Sequence, residues 1–150
     1  MAQRCLRGSN ASSPSRGAKH PPEDALKRCP MDEQRANQTP SAKIATSVVQ
    51  VMHAYTGRGP TKAKTTINDN MVTVLLADTL TDGERNLVEF GRADRVIRLR
   101  HDYQLVMRND LVGIVERELD RKVIAFMSQN HIDPDLAVEV FVLQPTGAVN

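Results

Sequence analysis

Two stretches of this chain each hold a pair of strand-like runs joined by a link shorter than the dozen or so residues a parallel crossover needs, which favours an antiparallel return in each pair. In the first, Ala63, Thr65 and Ile67 alternate with polar neighbours over residues 62–68, and residues 71–78 are rich in Val and Leu. Asn68, Asp69 and Asn70 lie between them and form a turn. In the second, runs at 122–128 and 137–143 flank a polar loop at 129–136.

A helical pattern precedes each pair. Thr39 and Pro40 suit a helix start, Ile44, Val48, Val51 and Tyr55 recur at helical spacing, and Gly57 suits the stop. Thr81 and Glu84 have the spacing of a capping box opening a second helical stretch to about Leu119, with a break at Gly91. Val96, Leu99, Tyr103, Met107, Leu111, Ile114 and Val115 are expected along its apolar side. Asp94, Arg98 and Asp102, four residues apart, are expected to pair on the charged side.

The order α-β-β-α-β-β predicts an α+β fold. Its economical packing is a two-layer sandwich: a four-stranded, mainly antiparallel sheet with the helices on one face.

The boundaries follow from composition. Residues 1–38 are dominated by Ser, Pro, Arg, Lys, Asn and Gln and hold too few branched aliphatics to offset their ordering entropy, so they are read as a disordered basic leader. Residues 39–145 form the folded domain and 146–150 a flexible tail. Residues 1–42 carry seven Lys or Arg against four Asp or Glu, and residues 43–150 carry thirteen against fourteen, so the net +2 belongs to the leader.

A near-neutral domain with no Trp, two Tyr and three Phe offers neither the cationic contacts nor the stacking platforms of a nucleic-acid binder. Cys5 and Cys29 both lie in the leader and cannot make a four-ligand metal site by themselves. No apolar run is long enough to span a bilayer, and the leader lacks the apolar segment of a secretory signal.

Two loops concentrate the residue types that carry chemistry. Gly57, Arg58, Gly59 and Pro60 offer backbone N–H groups and a guanidinium to an anion. They follow a helix rather than precede one, however, and helix termination with a rigid exit turn explains both glycines and the proline. Asn130, His131, Asp133, Pro134 and Asp135 place an imidazole and two carboxylates within five residues, a set suited to a divalent metal or acid–base work and equally to an ordinary turn.

His53 and His101 read as isolated helical histidines, and Arg85, Arg92, Arg95, Arg98 and Arg100 as a solvated helix face. Ser128 has no nucleophile-elbow context, and no phosphate-loop, dinucleotide or zinc-ribbon spacing is present. The reading is therefore of a non-enzyme with no catalytic residues, no metal and no cofactor.

Four motifs in order carry a family resemblance: Tyr55-Thr56-Gly57-Arg58-Gly59-Pro60, the run Met71 to Leu76, Leu80-Thr81-Asp82-Gly83-Glu84, and the stretch Asn130 to Leu143. Together they resemble the MpsC-like family of small bacterial domains, over about residues 41–145. The family takes its name from a sodium-translocating, membrane-potential-generating system, in which such a protein accompanies an integral membrane transporter pair linked to cation movement and bicarbonate supply.

The resemblance implies an accessory or regulatory domain that works by protein contact. It would sit in the cytoplasm, peripheral to the inner face of the membrane, with a membrane transporter as partner. Exposed sheet edges add the expectation of a homodimer. The alternative is a small-ligand or ion sensor built on the 57–60 and 129–136 loops.

Overall fold

The computed structural model describes residues 38–147. The leader assigned to 1–38 lies, apart from Gln38, outside the described residues, and so do residues 148–150 of the tail. Seven elements follow in order: α1 (Pro40–Thr56), β1 (Lys62–Asn68), β2 (Met71–Ala77), α2 (Asp82–Glu89), α3 (Ala93–Leu119), β3 (Val123–His131) and β4 (Leu136–Leu143).

The strands form one sheet in the order β1-β2-β4-β3, with every pairing antiparallel. Each hairpin is local; the non-local step is β2 against β4, with Val74 opposite Glu139. This is an α+β fold with β1 and β3 as its edges.

The helices form from local signals. Thr39 accepts a hydrogen bond from the Ala42 N–H and caps α1, Pro40 fills its first turn, and Gly57 closes it in the left-handed conformation at φ 74°. The break at Gly91 splits the second helical stretch into α2 and α3, and Gly91 adopts φ 72°.

Eight residues are too few to hold a helix alone, so α2 depends on its capping box. The Thr81 hydroxyl accepts from the Glu84 N–H at 3.2 Å, and the Glu84 carboxylate accepts from the Thr81 N–H at 2.7 Å. Thr81→Ala is expected to cost about 1 kcal/mol in urea unfolding, the usual worth of an N-cap side chain. An unchanged midpoint would mean that tertiary contacts alone hold this turn.

One core joins the layers. Ile44, Val48 and Met52 of α1 and Met107, Leu111, Ile114 and Val115 of α3 bury against Val72, Val74 and Leu76 of β2 and Ala137, Phe141 and Leu143 of β4. Each such side chain contributes about 1.5–3 kcal/mol by leaving water. The described helices lie on this face of the sheet; on the other, Met71, Leu75 and Met127 stay exposed.

Three expectations need correction. Leu99 and Tyr55, placed on core stripes, are exposed, and the Tyr55 hydroxyl donates to Asp110 at 2.8 Å. β3 continues to His131, so Asn130 and His131 belong to a strand and the connecting loop is only 132–135. No ion pair among the described residues joins Asp94, Arg98 and Asp102. Arg98 instead lines a groove described below.

Candidate functional site

The two loops singled out in the sequence meet at the β2–α2 connection, residues 78–81. In the first loop the Arg58 guanidinium donates to the Leu80 carbonyl. A side chain at Gly59 would come within 3.2 Å of Val49, which explains a glycine where the loop lies back on α1. The Gly57 N–H is engaged by the His53 carbonyl at 2.9 Å as a helix cap.

From the second loop, Asp135 accepts from the Thr79 hydroxyl at 2.8 Å and the Leu80 N–H at 2.9 Å, with Arg85 at 3.8 Å. Partial burial alone would push the Asp135 carboxyl up. The bonds from Leu80 and Thr79 and the nearby Arg100 charge outweigh it and hold the carboxyl below its ordinary value. His131 closes the turn through Nδ1, 2.8 Å from the Pro134 carbonyl, and the Asp133–Pro134 bond is cis. Among the described residues no three His, Cys, Asp or Glu side chains form a group able to hold a metal ion.

Arg100 ties this region together, and sequence reasoning placed it on the solvated face. It is 5% exposed and Glu84 is 6% exposed. Its Nε lies 3.1 Å from one Glu84 carboxylate oxygen, and Nη2 donates to the other at 3.1 Å. Nη1 donates to the Thr79 hydroxyl at 2.9 Å and to Asn130 Oδ1 at 3.2 Å, and Nη2 also donates to the Thr79 carbonyl. The planar fork thus binds the β2–α2 connection, the start of α2 and the end of β3 to α3. The missed signal was spacing: Arg100 falls four residues after the buried Val96 and seven before the buried Met107.

Beside this clasp, a groove opens between the flank of α3 and edge strand β3. A pocket of about 500 Å³ is lined by Ile97, Arg98, His101, Asp102, Gln104, Gln129 and Asn130. One of about 280 Å³ adjoins it through the shared His101 and Gln104 and extends to Leu105, Arg108, Phe126 and Ser128.

Beneath the groove lies Glu139, fully buried and central in the sheet between Val74 of β2 and Ser128 of β3. Neither carboxylate oxygen closes a hydrogen bond, and the Ser128 hydroxyl and Gln104 amide nitrogen are also without a partner. Burial pushes the Glu139 carboxyl up to about 7; the Ser128 hydroxyl and Gln104 amide, beside it but short of good hydrogen-bond geometry, pull it down by less.

What this arrangement can do is bounded by its geometry. Ser128 faces inward from β3 and His131 outward, so the two do not form a nucleophile–base pair. The clasp residues spend their charges on one another, whereas Arg98, Asp102 and Arg108 of the groove make no ion pair among the described residues.

Comparison with curated proteins and with solved structures finds no match. A family model does match, over residues 37–145, which takes in every element of the fold and both sides of the groove. The chain therefore belongs to the MpsC family, whose description reads Na+-translocating membrane potential-generating system (MpsC).

Proposed function

We propose that this domain is a non-enzymatic accessory subunit that docks, through the uncovered face of its sheet, on a membrane component of a Na+-translocating, membrane-potential-generating system. The uncovered face carries the reading. Met71, Leu75 and Met127 are 45%, 44% and 54% exposed, and Ile124 at the bulged start of β3 is 62% exposed.

The strand register joins Met71, Leu75 and Met127 into one surface. Met71 lies opposite Val142, Leu75 opposite Val138, and Met127 opposite Val140. Contiguous apolar surface of this kind on a polar-rimmed domain marks a place where another protein sits. No helix among the described residues is long and apolar enough to cross a membrane, which is in keeping with leaving the membrane-embedded part to a partner. The family description supplies the kind of system.

The test is co-purification from detergent-solubilised membranes of the native host, comparing the full chain with its Met71→Lys/Leu75→Lys variant. Both substitutions fall on exposed positions of a central strand, so folding is expected to survive them. The expected result is recovery of an ion-transporting membrane protein with the wild-type chain and its loss with the variant. Equal recovery with both would move the contact off this face, and no membrane protein with either would shift the reading to a small-ligand sensor.

A further inference from the structure

We propose that the groove between α3 and β3 is closed by a second copy of this chain, the two β3 strands pairing antiparallel across a two-fold axis to make a continuous eight-stranded sheet. This inference is independent of what docks on the outer face.

The two sheet edges differ in how they meet solvent. β1 carries the exposed Lys62 and Lys64, charges that keep an edge from pairing with another chain. β3 reads Val-Ile-Ala-Phe-Met-Ser-Gln-Asn-His and contains no Lys, Arg, Asp, Glu or Pro. Its single irregularity is the register shift between Val123 and Ala125, which leaves residues 125–131 as a regular stretch whose outer row of backbone N–H and C=O groups pairs with no strand among the described residues.

The flank of α3 is complementary to itself about the middle of that stretch. A two-fold axis at Ser128 sets residue 126 of one copy opposite residue 130 of the other. Asp102 lines the pocket beside Gln129 and Asn130, and Arg108 lines the pocket beside Phe126 and Ser128. The same axis therefore brings Asp102 of each copy toward Arg108 of the other, making two crossed pairs from residues that have no ion partner among the described residues. Leu105, 60% exposed and bordering the pocket near Phe126 and Ser128, falls close to the axis and meets its own copy. Strand pairing, opposite charges and an apolar contact all place the partner in one register, as an isologous interface requires.

Sedimentation equilibrium of the full chain, from micromolar to millimolar concentration, tests this with the wild type, Arg108→Asp and the double variant Asp102→Arg/Arg108→Asp. Both side chains are exposed, and circular dichroism is expected to show unchanged folding. The wild type is expected to dimerise. Arg108→Asp is expected to weaken the dimer about tenfold or more, since one substitution puts like charges at two symmetric contacts, and the double swap is expected to restore it. A wild type that stays monomeric throughout, a dimer insensitive to Arg108→Asp, or a double variant no tighter than the single one overturns the proposal.

Discussion

Replacing Arg100 by leucine is expected to lower the stability of the domain by about 3–5 kcal/mol, the usual cost of removing one partner from a buried ion pair. The cause is less the lost attraction than what is left behind. Glu84 stays 6% exposed with its charge uncompensated, and the Thr79 carbonyl and Asn130 Oδ1 lose the donor that reaches them. Arg100→Lys keeps the charge but not the fork, and is expected to fall between wild type and leucine.

Removing both charges in Arg100→Leu/Glu84→Gln should recover part of the loss, because no stranded ion then remains in the interior and the glutamine can still accept from the Thr81 N–H. Urea unfolding of the four proteins measures this. A leucine variant within about 1 kcal/mol of wild type would place the pair in the range of solvent-exposed ion pairs and contradict the burial described above.

Arg100 also shows where legibility in the sequence ends. A helix can be recognised from its apolar spacing, and the capping box at Thr81 and the stop at Gly57 were readable because they depend on chain neighbours alone. Which residue flanks the stripe and which lies within it depends on how the helix is rotated against the sheet. Leu99 and Arg100 differ by one position; Arg100 shares the phase of the buried Val96 and Met107, and the clasp around Thr79 gives its guanidinium partners there.

The same limit hid the convergence of the two candidate loops. Arg58 and Asp135 are far apart in the chain and meet because β2 pairs with β4, a non-local choice that short links do not dictate. Glu139 is a different case. It alternates in phase with Ala137, Phe141 and Leu143, so its inward direction was written in the period-two pattern of β4. What the pattern lacks is its surroundings: Gln104 comes from α3 and Ser128 from β3, and neither closes a bond with the carboxylate.

That unpartnered carboxylate is expected to make the domain less stable as pH rises through neutrality. Its folded value of about 7 lies above the ordinary 4.5, so the folded state holds the proton more tightly than the unfolded state does. Below about pH 4.5 the group is protonated in both states and costs nothing. Between about 4.5 and 7 the penalty grows by roughly 1.4 kcal/mol for each step of one in pH, and above 7 it levels off at about 3 kcal/mol.

Asp135 and Glu116 are held below their ordinary values of 3.8 and 4.5 and act in the opposite sense, their stabilisation fading only as pH falls beneath those values. The two effects occupy separate windows, so stability should be greatest on the acidic side of neutrality. Glu139→Gln keeps the shape and removes the ionisation. It is expected to flatten the profile between pH 4.5 and 7 and to raise the melting temperature at pH 8 by roughly 10 °C, with little change at pH 4.5. Thermal unfolding of both proteins across this range decides it. Parallel profiles would show that the folded Glu139 carboxyl titrates near its ordinary value, its charge met by the Ser128 hydroxyl and the Gln104 amide.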